Sequence, residues 1–332
     1  MRKRRICKDM EETTFLCSEA KRVYSRVGLG LAVMFLVEIV LSIGLGMIFD
    51  LDQVKGPSIR WALFGQIIPV YGSIVAGYLV FRRLPSEPPE PHALQPGQFL
   101  RLPPITSFMQ YAASGIGNLL LLLAGLLLKS LLGAAPEEPE NPVVSMMQSI
   151  PPVIDFLLMV VVGPIAEELF CRKAIIDRTR IYGERLSVIS TAVIFGIFHH
   201  SVTQFLYTVS LGLIFAYVYI RTGKLRYPIA LHIYNNLLGF LAGKLVLSEG
   251  ILDAFGETGK LFGGRHTLVT GFFLLLAALF IAGLIFFVRS IKNVHFEPAE
   301  RELPKKYRFR CAWCSAAMLA YVLLGLFLTF TG

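Results

Sequence analysis

Three short clusters in otherwise apolar sequence hold the residues most able to do chemistry: Glu167-Glu168-x-x-x-Arg172, Phe195-x-x-x-His199 and His232-x-x-x-Asn236. At about 100° per helical residue, Glu168 and Arg172 share a face and can form an ion pair, while Glu167 turns away from it. The two carboxylates thereby gain different environments: Glu168 is held ionised by its cation and Glu167 is left free to exchange protons. His232 and Asn236, again four apart, can act together on one ligand, and His199 rather than His200 accompanies the ring of Phe195. Each cluster alone also suits a bland role, the Glu-Arg pair as a clamp and the histidine as a packing residue. Ionisable groups are costly in a membrane interior, so their presence there points to function.

The elements that must position these groups follow from composition. The chain has 332 residues, of which 55% are hydrophobic, and a mean hydropathy of +0.62. That is more apolar surface than one soluble core of this length would hide. The expected fold is an all-α, polytopic transmembrane bundle of eight or nine spans, each needing about 20 apolar residues. Nine candidates run 27–49, 61–81, 106–132, 151–170, 186–202, 204–220, 227–247, 267–289 and 311–331, of which 186–202 is short and ends on the paired histidines His199 and His200. The domain reading is a polar tail over 1–26, helices over 27–150 with a Pro-rich loop at 84–104, a core over 151–248 that carries the clusters, and helices over 249–332.

Lys and Arg number 32. The tail holds 8, and the alternate segments 82–104, 171–185, 221–226 and 289–310 hold 3, 5, 3 and 7, so 26 fall on one side. Cytoplasmic loops are enriched in these residues, which sets the amino terminus in the cytoplasm and, with nine spans, the carboxy terminus outside. The acidic stretch with Glu137, Glu138 and Glu140 fits the outer face. The net charge of +9 is explained by topology and anionic lipid, with no nucleic-acid partner. The first apolar run is long enough to act as an anchor, with no cleavable signal peptide before it. The segment 84–104 reads as an extended cytoplasmic linker and 249–266 as a flexible Gly-containing loop. Five cysteines argue against structural disulfides on the cytoplasmic side. Cys311-Ala312-Trp313-Cys314 has metal or redox spacing, and with Cys7 and Cys17 makes a four-thiolate site conceivable.

The order and spacing of the three clusters resemble the CPBP family, the CAAX-protease and bacteriocin-processing (Abi) intramembrane proteases. The likeness covers 163–240, including Gly212-Leu213-Ile214-Phe215 and Arg221-Thr222-Gly223. One departure is Cys171-Arg172-Lys173, where relatives carry an aromatic before the arginine and a glycine after it. The resemblance implies an intramembrane peptidase in which Glu167 and His199 activate water and His232 and Asn236 stabilise the oxyanion. Glu168 and Arg172 complete the catalytic group as its architecture. Glu167, His199 and His232 are also the ligands a metal such as zinc would take, so the cofactor is none or a divalent metal. His-Glu-x-x-His, Gly-x-Ser-Gly and Gly-x-Gly-Asp are all missing from the sequence. Cys171, beside a cation, is the competing nucleophile.

The expected partners are a membrane-associated peptide or protein substrate and the lipid bilayer, and the expected location is a bacterial cell membrane. His199 lies 13 residues beyond Leu186, about 20 Å along a helix, so the fifth helix must protrude if the groups are to meet in a cytoplasm-facing cavity. The alternative function is a non-proteolytic scaffold, immunity factor or transporter that keeps the clusters for structure.

Overall fold

A computed structural model describes residues 2–132, 147–247 and 265–331 of the chain. The expectations for the acidic stretch 137–140 and for most of 249–266 fall outside these residues. Among the described residues the regular structure is entirely helical. The main elements are α1 (Arg2–Ile48), α2 (Trp61–Phe81), α3 (Leu102–Leu132), α4 (152–176), α5 (Glu184–Phe198), α6 (Val202–Thr222), α7 (Arg226–Leu247), α8 (Arg265–Ser290), α9 (Lys305–Trp313) and α10 (Ala316–Thr331).

Five described helices, α1, α2, the segment containing α3, α6 and α8, are long and apolar enough to cross a membrane. A sixth span results if α9 and α10, which meet at a 66° bend, are taken together. The expectation of eight or nine spans is not confirmed, since 151–170, 186–202 and 227–247 are not among these helices. Their composition explains it. Helix α4 carries Glu167, Glu168, Arg172 and Lys173 and is interrupted by wide π-type turns at Leu157–Val162 and Leu169–Ile176. Helix α5 has only 15 residues, about 22 Å of length. Helix α7 contains His232, Asn235, Asn236 and Lys244. These are the helices that bear the clusters, and they owe their place to neighbours more than to lipid.

Helix α1 packs on α2 and α10, α3 packs on α6 and α8, and α5 packs on α6. The largest apolar core joins Tyr24, Leu31, Met34 and Phe35 of α1 to Phe170, Cys171 and Ile175 of α4, Phe195 of α5 and Tyr321 of α10. Close helix approach needs small residues: a Cβ on Gly212 of α6 would lie 3.0 Å from the Ala192 backbone of α5.

The basic segments come together at one end of the bundle. Arg301 Nη1 pairs with Glu19 at 2.7 Å, and the amides of Arg301 and Leu303 donate to the carbonyls of Ile181 and Tyr182. Arg221 at the end of α6 bridges Glu184 and Glu297. The Pro-rich segment is bound to this end and is no free linker. Its Glu87 and His92 amides donate to the carbonyls of Asp177 and Thr222, both at 2.7 Å, the Leu94 amide donates to Tyr227 Oη, and Arg180 Nε donates to Glu87 O at 2.6 Å. Gly223 ends α6 in the left-handed region (φ 59°). A side chain there would meet the carbonyl oxygens of Pro89 and Glu90 at 2.5 Å, so glycine is needed for the conformation and for the strap that crosses it.

Candidate active site

The site is built from one ion pair outward. Arg172 Nε lies 2.9 Å from Glu168 Oε2, and both side chains are wholly buried. The guanidinium plane is covered by Phe195 at 4.9 Å and Phe215 at 5.6 Å, so two rings and a carboxylate offset the cost of burying the cation. This gives Phe195 its place in the second cluster, and it gives Phe215 of the Gly212-Leu213-Ile214-Phe215 run an equivalent one.

Glu168 has a second task that its pairing with Arg172 conceals in the sequence. Its other oxygen, Oε1, accepts from Nδ1 of His232 at 3.0 Å. His199 is held in the same way by a different group, with Nδ1 2.8 Å from the carbonyl of Phe195. Both rings therefore turn Nε2 toward the same carboxylate: Glu167 Oε2 is 3.7 Å from His232 Nε2 and 3.9 Å from His199 Nε2. These separations exceed a direct hydrogen bond and suit a single bridging water. Among the described residues Glu167 Oε2 has no hydrogen-bond partner. The two glutamates thus have different neighbours: Glu168 meets Arg172 and His232, and Glu167 faces the Nε2 atoms of both histidines.

Asn236 is placed by a gap in α4. In the π-type turn at 157–162 the amide of Gly163 donates to Leu158 O, five residues back. The next donor in that pattern would be residue 164, but Pro164 has no N–H. Met159 O is then open, and Asn236 Nδ2 donates to it at 2.8 Å. Proline and asparagine thus tie α7 to α4 next to the two histidines. Gly163 completes this wall, since a Cβ there would lie 2.8 Å from Leu158 O and 3.7 Å from Glu167 Oε1.

Two imidazoles and a carboxylate invite a metal, yet the donors do not fit one as they stand. Ligands 2.0–2.1 Å from a tetrahedral ion lie about 3.4 Å apart, closer than the pairs around Glu167, and among the described residues no three His, Cys, Asp or Glu side chains form a metal-holding group. For the four-thiolate idea, the side chain of Cys7 lies outside the described residues. Cys17 and Cys311 line one basic hollow, while Cys314 is exposed at the bend between α9 and α10. Cys171 is buried in the apolar core with Tyr24 and Phe35, outside the lining of the cavity that holds Glu167, so the thiol is no nucleophile for this site.

Glu167, His199, His232 and Asn236 line one cavity of 410 Å³. The sequence reading missed several of its walls: Gln66 and Tyr71 on α2, Gln110, Ser114 and Asn118 on α3, and Gln204 and Tyr207 on α6. A signal was available. Gln110, Ser114 and Asn118 recur every four residues in an otherwise apolar span, the spacing of one helix face. The cavity lining includes Leu158, Asn118 and Phe240, which lie farther along α4, α3 and α7 from the basic end than Glu167 and His232 do.

Residues 149–238 match the model of a protein family described as "Type II CAAX prenyl endopeptidase Rce1-like". Over 105 residues the chain is 31% identical to a Bacillus subtilis (strain 168) protein named "Putative membrane peptidase YdiL". That alignment spans 30% of this chain and 41% of the other. No solved structure matches the chain. All seven residues of the three clusters fall inside the matched stretch, so the likeness to the Rce1-like family rests on the segment that holds the candidate site.

Proposed function

We propose that the protein is an intramembrane endopeptidase of the CPBP, CAAX-protease type, set in a bacterial cell membrane with its basic loops in the cytoplasm. The observation that carries this reading is the approach of two anchored imidazoles, His199 and His232, to the free oxygen of Glu167 at 3.9 and 3.7 Å. Glu167 and His199 take a proton from the attacking water as it adds to the scissile carbonyl, and return it to the leaving amine. His232, carrying a proton on Nε2, and the Asn236 amide donate to the oxyanion that develops. Glu168 orients His232, and Arg172 holds Glu168. The Rce1-like match over 149–238 and the peptidase name of the Bacillus relative support the reaction class.

The test compares the membrane peptides cleaved in cells that carry the wild type with those in cells that carry Glu167→Ala. Products present with the wild type and lost with the variant, at equal amounts of folded protein, are expected. An identical peptide pattern in both would leave the clusters a structural role.

A further inference from the structure

The cavity has a direction. Along α4 its lining runs from Glu167 to Leu158, which lie about 15 and 28 Å from Asp177 at the basic end. Along α7 it runs from His232 to Phe240, and along α3 from Gln110 to Asn118; on each helix the far limit is more than about 20 Å from that end. On the basic side the floor is closed, because Glu168, Arg172, Phe215 and Leu231 are wholly buried. Beyond that floor the strap 84–101 is hydrogen-bonded over the ends of α4, α6 and α7.

Most of the cavity wall is apolar surface, and a set of carboxamides stands in it at Gln66, Gln110, Asn118 and Gln204; among the described residues Oε1 of Gln110 is buried without a hydrogen-bond partner. An isoprenoid chain offers such groups nothing and would leave them unpaired at a cost. An extended main chain offers alternating donors and acceptors along its length.

We infer that the cavity receives an extended, unprenylated polypeptide segment from the face opposite the basic loops, the extracytoplasmic face by the enrichment of Lys and Arg in cytoplasmic loops. This rests on the peptidase reading for what happens to the segment once it is bound, but the side of entry does not. The substrate class is then an exported peptide or the outer end of a membrane protein, in place of a lipidated cytoplasmic tail.

Sided labelling tests the entry. Asn118→Cys, in the far wall, and Glu90→Cys, on the strap, are each treated with a membrane-impermeant maleimide in intact cells and in inside-out vesicles, with wild-type labelling subtracted. Asn118→Cys is expected to react several times faster in intact cells and Glu90→Cys several times faster in inside-out vesicles. Reaction of Asn118→Cys only in inside-out vesicles, or in neither preparation, overturns the entry side, as does reaction of Glu90→Cys from outside. The class is tested on the purified double variant Glu167→Gln/Asn118→Cys. A capped hexapeptide of Leu, Ser and Ala should slow maleimide labelling several-fold and farnesylcysteine should not; protection by farnesylcysteine alone, or by neither, overturns the polypeptide class. Neither arm needs catalysis, so a protein that labels as expected but cleaves nothing fails the peptidase reading and keeps the entry route.

Discussion

The lipid-facing helices and the helices that carry the site solve the membrane problem in opposite ways. In the most apolar stretch of α8 only 6% of the residues are buried inside the protein, and in those of α1, α2 and the α3 segment 12–22% are; in α6, which packs against the site, half are. The outer helices need only apolar side chains, because lipid is as good a neighbour for leucine as another helix is. Helices α4, α5 and α7 are shorter, broken or polar, and are kept in place by specific partners: Glu168 with Arg172 and His232, Asp155 with Lys244 at 2.9 Å, and Asp177 with Tyr219 Oη at 2.7 Å. The helices that carry the three clusters are therefore the ones with the most polar and ionic partners inside the protein.

The largest effects should come from breaking the inner set. Glu167→Gln removes the group proposed to take the water's proton while keeping its volume. A fall in turnover of about 10²–10⁴ is expected, with wild-type amounts of protein in detergent extracts. Retention of turnover within a few-fold would move the base elsewhere.

Arg172→Ala should act on folding first. It leaves Oε2 of the buried Glu168 without its cation, with only His232 still on Oε1, and opens a space between Phe195 and Phe215; loss of one partner of such a pair costs about 3–5 kcal/mol. The measurement is the fraction of protein surviving detergent extraction and heating. Arg172→Lys should recover only part of the loss, since a single ammonium cannot lie flat between two rings as a guanidinium does. Wild-type survival of Arg172→Ala with no activity would place the arginine in the chemistry.

How much of this was legible in the sequence depends on how far apart the partners are. Glu168 and Arg172 lie four residues apart, as do Phe195 and His199, and His232 and Asn236, so one helical turn predicts which share a face. That logic also turned Glu167 away from the Glu168–Arg172 pair. It failed where a partner is distant or is backbone: the Glu168–His232 contact crosses 64 residues, and the Met159 carbonyl that holds Asn236 is vacated by a proline five positions on, a feature that has meaning only inside a π-type turn. The strap 84–101 looked like a linker because its prolines exclude helix, yet amides between those prolines remain free to bind helix ends. The bend after Trp313 was hidden because the apolar run after Cys311 continues through it.

Asn236→Ala sits lower in the expected order because it touches one hydrogen bond at each end. Loss of one oxyanion donor is expected to lower turnover by about 10²–10³. The open Met159 carbonyl should cost about 1–3 kcal/mol of stability. Equal losses of turnover and of folded protein would instead assign the residue to helix packing alone, and the two are separated by normalising activity to protein that elutes as a single species.

The smallest expected effect gives the sharpest form of the comparison, because it sets the same chemical change in the two regions. Leu231 of α7 is wholly buried beside Phe215, and Leu274 of α8 is 63% exposed on the outer surface. Leu231→Ala removes packed atoms that nothing can replace and should cost about 2–5 kcal/mol. At position 274 lipid chains fill the space left by the removed atoms, so Leu274→Ala should stay within about 0.5 kcal/mol of the wild type. The apolar stretch of α8 has a mean hydropathy of 2.8, enough to remain inserted after one such loss. Thermal aggregation of the two variants in the same detergent compares them directly. A Leu274→Ala loss as large as that of Leu231→Ala would mean that the outer face of α8 is covered by protein in the membrane, and the division into lipid-facing and site-bearing helices would have to be redrawn there.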